Sequence, residues 1–307
     1  QYVEFVPEGT TFRITPSSYY RFFAGNTASD RDSTGENADA LQKEMEALFH
    51  DAFERMAASL RGRRVLVPLS GGLDSRLVVG MLKETGIEDV LCFSYGHPGS
   101  EEGKISRSVA QALGYDWQFV EYSPRLWARW MTDPAMPDYL RACSGGVSLP
   151  LLQDFPATME LAARFAPGSR PLFYPGHGGD MLAGHRITRD QLQLRGRPED
   201  IATLILQHHY LLWAVGSRVR RTSSYRSLAE KIRTYVVDAG PEATRKPAAC
   251  CEMWDWDHRQ ARYILNSVRC YELVRADWRT LWFHPLMDFF AKLPLAQRIN
   301  ERLYVTA

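Results

Sequence analysis

The chain has 307 residues, 45% of them hydrophobic and 24% charged, and its 37 Lys and Arg against 36 Asp and Glu give a formal net charge of +1. That length and apolar content suffice for a full core in one large domain or two, while the near-neutral balance argues against a nucleic-acid or membrane surface as the main partner. Five cysteines, Cys92, Cys143, Cys250, Cys251 and Cys270, form neither a C-x-x-C pair nor a zinc spacing, and the absence of a signal peptide or membrane-length apolar run completes the expectation of a soluble protein in a reducing cytoplasm. The chain opens at Gln1 rather than Met, which suggests a fragment or a processed product.

Residues 1–25 read as a short β region, because Phe5 to Ile14 alternates and turns at Pro7 and Gly9. A polar, loop-like segment from Asn26 to Asn37 follows. Leu41, Met45, Leu48, Phe49, Ala52, Phe53, Met56 and Leu60 then recur at helical spacing, so this helix should cover one face of a sheet. Val65 to Leu69 is a compact apolar run of the kind found inside parallel sheets. The chain turns sharply at Ser70-Gly71-Gly72 and resumes with helical spacing from Arg76 to Lys83. Such a turn leaves backbone N–H groups unpaired at a helix N-terminus, and two glycines let an oxygen-rich anion approach them closely. Asp74 would repel a bare phosphate, so its place there makes sense if it holds a divalent cation that the phosphates share. Ser70 and Ser75 can donate to the same oxygens.

Asp89 to Tyr95 and Trp117 to Tyr122 read as two further strands; between them Ser100 to Gly103 precedes a helix through Ile105, Val109, Ala110 and Leu113 that ends at Gly114. This alternation implies βαβ units and a parallel sheet, whose ligand site lies at the carboxyl ends of the strands. From Leu126 the pattern is mainly helical. Pro171 to Tyr174 is strand-like and leads into a second glycine-rich turn, Pro175-Gly176-His177-Gly178-Gly179-Asp180. Helices are expected over 201–215, 225–237 and 257–274.

The first turn, S-G-G-x-D-S from Ser70 to Ser75, resembles the pyrophosphate loop of the ATP pyrophosphatase group, whose members cut ATP between the α and β phosphates. With the second turn added, the stretch from Val65 to the C-terminus resembles the synthetase domain of the asparagine synthetase family, and looks closest to the asparagine-synthetase-like proteins of bacterial polysaccharide and natural-product gene sets. The resemblance implies an α/β parallel-sheet ATP pyrophosphatase core with additional helices over residues 61–307. It leaves 26–60 as linker and covering helix, and 1–25 as the tail of an N-terminal β domain. It implies ATP and Mg2+ as cofactors, with Asp74 and Asp180 as metal ligands. The nucleotide would be bound by Val67, Leu69, Ser70, Gly71, Gly72, Asp74, Ser75, Phe93, Ser94, Pro175, Gly176 and Gly178.

Three departures from the family pattern bear on chemistry. Glutamine-using members carry an N-terminal glutaminase beginning with Cys, of which only Val3 to Phe23 resembles the tail, so a separate glutaminase domain or subunit becomes a candidate ammonia source. His177 stands where asparagine synthetases carry Glu and β-lactam-forming relatives carry Tyr. A family Lys beyond the P-x-x-D segment has no match in position: only Lys292 follows Asp288, with Arg298 and Arg302 as later cations. The expected activity is adenylation of a small-molecule, sugar or peptide carboxylate and acyl transfer to ammonia or an amine. His177 is the base candidate, and Lys292 or Arg298 the cation at the reacting phosphate. Alternatives are an intramolecular cyclising synthetase of the β-lactam or lasso-peptide type, a tRNA-modifying pyrophosphatase, and a nucleotide-binding subunit with impaired catalysis.

Overall fold

A computed structural model of the chain describes residues 2–17, 20, 22, 38–194, 196–210 and 217–306. The polar segment expected at 26–37 and the end of the helix expected at 201–215 lie outside these residues. The chain divides into two compact units, Gln1–Ser29 with Ile187–Asp257, and Asp30–Arg186 with His258–Ala307. The stretch 61–307, read from the sequence as one domain, is therefore shared between them.

The first unit begins with an antiparallel hairpin of β1 (Tyr2–Glu8) and β2 (Thr11–Ser17), in which Phe5 pairs with Ile14. Gly9, at φ 62°, supplies the left-handed residue of the connecting turn.

The second unit opens with α1 (Ala38–Leu60), whose Met45, Phe49, Phe53, Met56 and Leu60 are buried, at the helical spacing read from the sequence. It packs against the helix that follows the first core strand. That strand is β3 (Val65–Pro68), followed by α2 (Leu73–Glu84), β4 (Val90–Gly96), α3 (Glu101–Ala112) and β5 (Asp116–Glu121). Next come α4 (Pro124–Met131), α5 (Met136–Ser144), α6 (Asp154–Ala162), β6 (Leu172–Phe173) and α7 (Gly179–Ala183).

The chain then returns to the first unit through α8 (Arg189–Gln193), α9 (Pro198–His209), α10 (Ser217–Arg220), α11 (Ser223–Asp238), α12 (Gly240–Arg245) and α13 (Pro247–Trp254). Ile201, Ile205, Ile232, Val236, Cys250 and Met253 form the core of this helical set. Adjacent Cys250 and Cys251 are both buried, and all five cysteines are free thiols inside the protein.

A wide π-helical stretch, Asp255–Ile264, continues α13, and α14 (Leu265–Val268) and a 3-10 stretch Arg269–Val274 follow. The single helix expected over 257–274 is thus three helical forms in series. A two-residue strand that the sequence did not suggest, β7 (Asp277–Trp278), joins the sheet edge before α15 (His284–Lys292) and α16 (Leu295–Arg298). Among the described residues, no helix is long and apolar enough to cross a membrane.

The sheet order is β5-β4-β3-β6-β7, and every pair is parallel. The expected α/β parallel-sheet core is therefore present. From β3 the chain builds outward to β4 and β5, then comes back to place β6 on the other side of β3. That reversal puts the topological switch point between β3 and β6, so the loops leaving these two strands flank one crevice at their carboxyl ends. Leu66, Phe93, Val120, Phe155, Phe173 and Tyr271 share a core cluster beneath the crevice. Phe173 lies face to face with Tyr271 at 4.0 Å and edge-on to Phe93 at 6.0 Å. Phe173→Ala should cost about 3–5 kcal/mol of unfolding free energy, read from the urea midpoint at unchanged slope; a loss under about 1 kcal/mol would mean that the cluster relaxes freely around the gap.

Candidate active site

The first loop is held in shape by its own two serines. Ser75 Oγ accepts from the Ser70 amide at 3.1 Å and lies 3.1 Å from Ser70 Oγ, which in turn accepts from the Gly72 amide at 3.1 Å. Gly72 is the N-cap of α2 and offers no side-chain cap, so the first-turn amides keep donors to give to an anion. Gly71 sits on the far side of the turn, where an added Cβ would lie 3.4 Å from Ile105 Cδ1.

The second loop leaves β6 and packs directly onto the first. An added Cβ at Gly176 would fall 2.7 Å from the Ser75 backbone nitrogen, and one at Gly179 would fall 2.4 Å from the Asp74 carboxylate. No side chain fits at either position. Gly178 has φ 97° and lies against Trp282, whose Nε1 would be 2.4 Å from a Cβ there. Trp282 belongs to the segment after β7, where the Leu281 amide also donates to the His177 carbonyl at 3.1 Å. The loop is thus fixed from both sides, and the short helix α7 carries Asp180 against Asp74.

Asp74 bonds the backbone of Asp180, and both side chains line one cleft. Asp74 Oδ2 accepts from the Asp180 backbone amide at 3.1 Å, and Asp74 Oδ1 accepts from the Tyr304 hydroxyl at 2.8 Å. Burial pushes the Asp74 carboxyl up to about 6, against the hydrogen bond from Tyr304, and the negative charge of Asp180 adds to the rise. Asp180 Oδ1 accepts from the Met181 amide at 2.8 Å, and its Oδ2 lies 3.8 Å from Arg259 Nη1. Two converging carboxylates whose joint ionisation is disfavoured are donors suited to a hard cation. Among the described residues, no group of three or more His, Cys, Asp and Glu could enclose a metal by itself. The arrangement fits magnesium, which binds through one or two carboxylates and takes its remaining ligands from water and substrate phosphates.

Around these loops opens a cleft of about 350 Å³, within the range of small-molecule sites. Of the residues expected to bind the nucleotide, Ser70, Gly72, Asp74, Ser75, Pro175, Gly176 and Gly178 line it, together with the base candidate His177 and the expected metal ligand Asp180. Val67, Leu69 and Phe93 are buried beneath as core, and the Ser94 hydroxyl is engaged internally, 2.8 Å from the Leu69 carbonyl and 2.6 Å from Ser106 Oγ. His177 faces the cleft half-buried, and burial pushes its imidazole down to about 4, away from the value near 7 that its base assignment supposed. Neither expected cation lines the cleft. Lys292 is exposed at the end of α15, and Arg298 is fully buried, with Nη2 3.4 Å from the Leu182 carbonyl.

Other residues occupy the places that sequence reasoning left open. Arg259 and Ile264, on the π-helical stretch, line the cleft, and so do Tyr95, Leu151, Gln153 and Asp154. Three tyrosines hold the segment before α6: Tyr139 donates to the Leu151 carbonyl, Tyr122 to the Gln153 carbonyl, and Tyr95 to Asp154 Oδ1. Tyr95 and Tyr122 stack at 5.0 Å. Asp154 is buried, which raises its carboxyl to about 6. None of these residues belongs to a glycine motif, so no local signal marked them. A larger cavity, about 1000 Å³, lies at the amino ends of the strands, beside Arg64, Asp89 and Asp116. Three of the arginines lining it are spent on carboxylates, Arg63 and Arg170 on Asp277 at 2.7 and 3.1 Å and Arg64 on Asp89 at 3.4 Å, and neither glycine loop reaches it.

Residues 44–305 match the family model described as asparagine synthase. The chain is 32% identical over 124 residues to a 7-cyano-7-deazaguanine synthase from Cupriavidus taiwanensis, a match covering 38% of this chain and 55% of that protein. Among solved structures it is similar to an NH3-dependent NAD synthetase from Campylobacter jejuni, with 12% identity and a TM-score of 0.33 over 74% of this chain and 95% of that one.

Both raised carboxyls act on stability in one direction. Unfolded, Asp74 titrates near its ordinary 3.8; folded, near 6. The native form therefore holds a proton that the unfolded chain releases, and the associated stability is complete below pH 3.8 and lost as pH rises through 6. Asp154 contributes in the same window. Urea midpoints measured from pH 4 to pH 8 should fall along this arm in the native chain and fall less in Asp74→Asn; parallel profiles would mean that the Asp74 carboxyl titrates normally.

Proposed function

Because the chain belongs to the asparagine synthase family, a family of ATP-utilising synthetases, we propose that it is an ATP-dependent amide ligase that adenylates a carboxylate and transfers the acyl group to ammonia or an amine. The single observation that carries this reading is the convergence of Asp74 and Asp180 across two glycine loops at the switch point, beside unpaired amides at the start of α2. A kinase-type loop would instead present a Lys after its last glycine; here Leu73 and Asp74 occupy that place.

The residues divide the work as follows. Ser70, Gly72 and Ser75 cradle the β and γ phosphates, so that the bond between the α-phosphorus and the bridging oxygen breaks when the substrate carboxylate attacks. Asp74 and Asp180 would hold a magnesium ion, which supplies neutralisation of charge on the departing pyrophosphate. Arg259, 3.8 Å from Asp180 Oδ2, adds a fixed positive charge on the same wall, a part that neither Lys292 nor Arg298 is placed to play. Tyr304 anchors Asp74 so that its carboxylate meets the phosphates in one orientation. In the second step the amine nitrogen bonds to the acyl carbon, and AMP leaves. His177 is uncharged at neutral pH and offers a ring nitrogen to the proton released from that amine, although its lowered basicity makes it a weaker acceptor than an ordinary His.

Exchange of labelled pyrophosphate into ATP, run over a panel of carboxylates, tests the first step. One or more carboxylates should support exchange with AMP as the nucleotide product, and Asp74→Ala or Asp180→Ala should cut it by about a hundredfold or more. Release of ADP and phosphate, or exchange indifferent to both substitutions, would remove the adenylating assignment. For the second step, His177→Ala should leave pyrophosphate exchange within a few-fold of native while slowing single-turnover amide formation by about a hundredfold. An unchanged second step would reduce His177 to a loop-shaping residue.

A further inference from the structure

Asp154 is an unusual side chain to find in the wall of a cleft built for phosphates. It is 7% exposed, yet among the described residues no Lys, Arg or His offsets its charge, and the one group that bonds it is the neutral Tyr95 hydroxyl. That bond goes to Oδ1. The second oxygen, Oδ2, accepts no hydrogen bond among the described residues, and it is not among the sealed, unsatisfied polar atoms of the interior. A buried carboxylate without a countercharge costs several kcal/mol by desolvation, by order of magnitude, so its retention at a cleft wall calls for a positive partner from outside the chain.

The surroundings restrict what that partner can be. The neighbouring backbone carbonyls of Leu151 and Gln153 are already taken by Tyr139 and Tyr122. These bonds hold the segment that carries Asp154, and the Tyr95 hydroxyl holds its Oδ1. The Gln153 side chain is exposed and lines the same cleft, offering an amide oxygen as a second acceptor. One fixed carboxylate oxygen with an amide oxygen near it suits a compact cation bearing several N–H donors. A guanidinium pairs most strongly when its planar fork takes both carboxylate oxygens, a geometry that the Tyr95 bond to Oδ1 disfavours. A neutral aromatic amine, such as that of an adenine ring, would leave the charge uncompensated.

We propose that Asp154 is the recognition anion for a primary ammonium group, the resting form of the nitrogen substrate, held by Tyr95 and assisted by Gln153. The inference rests on the amide-ligase reading and deepens it by assigning the side chain that receives the acceptor, in the cleft that Asp74 and Asp180 also line. Asp154 in this role binds the protonated form and selects it by charge, while the glycine loops select the nucleotide; the ammonium gives one proton to cleft water before its nitrogen can attack, and the second passes to His177 as the amide forms.

Calorimetric titration of the intact chain with ammonium, methylammonium and putrescine chlorides tests this without turnover, using tetramethylammonium and sodium at equal ionic strength as controls. The three primary or unsubstituted ammonium ions should bind saturably and the controls should not. Asp154→Asn should weaken that binding by about tenfold or more while MgATP affinity, titrated separately, stays within about twofold. Equal ammonium binding in the variant, or none in the native chain, overturns the proposal. A collapse of MgATP affinity in a folded Asp154→Asn overturns it as well, by assigning the carboxylate to the nucleotide. Should Asp154→Asn fail to fold, Tyr95→Phe removes the one hydrogen bond that holds the carboxylate and should weaken ammonium binding by about threefold or more at native melting behaviour; ammonium binding unchanged in that variant would equally sink the assignment. Failure of the ligase reading itself would register in the pyrophosphate exchange, which these binding measurements do not require.

Discussion

Everything in the cleft depends on how closely two backbones approach. Gly176 and Gly179 lie so near Ser75 and Asp74 that a single methyl group at either position would overlap them, and that nearness brings two carboxylates into one small volume. Ordinary loops keep such charges apart. Here the sheet order sets up the meeting, since β3 and β6 are hydrogen-bonded neighbours and their following loops leave side by side. The residue type glycine, the strand order and the charge concentration are one constraint seen at three scales.

Concentrated negative charge has to be held rigidly if it is to be useful, because a mobile carboxylate would simply rotate into solvent. The chain holds it with neutral hydroxyls. Tyr304 fixes Asp74, Tyr95 fixes Asp154, and the Ser70–Ser75 pair fixes the loop between the strand and α2. A hydroxyl donor orients a carboxylate without cancelling its charge, which leaves the field available for a ligand. A lysine in any of these places would orient equally well and neutralise the charge at the same time.

Sequence reading reached the parts of this arrangement that are local. The apolar run Val65–Val67, the serine–glycine turn and the helical spacing of α1 each follow from a few adjacent residues, and the structure has them where the pattern put them. The pairing of Asp74 with Asp180 was legible because each sits in its own glycine turn. The residues that hold and face these loops were not legible. Tyr95 lies in an otherwise apolar strand, Asp154 at the start of a short helix and Tyr304 in a 3-10 turn, and only tertiary contacts give them their part. The expected cations failed for the same reason: Lys292 and Arg298 have suitable chemistry, but α15 leaves the first in solvent and α16 buries the second under α7. The two-residue β7 escaped because its pairing with β6 is supplied by the partner strand rather than by its own sequence.

The stretch Asp255–Ile264 departs from the α-helical repeat, and that departure governs how related chains should be compared with this one. Each residue of a regular helix advances the azimuth by about 100°, so threading Arg259 and Ile264 onto an α-helical template would rotate one or the other off the face they share in the cleft. Homologous positions here have to be matched by the direction each side chain takes into the cavity. An insertion of one residue in a relative would then be a change in winding, with the functional face preserved.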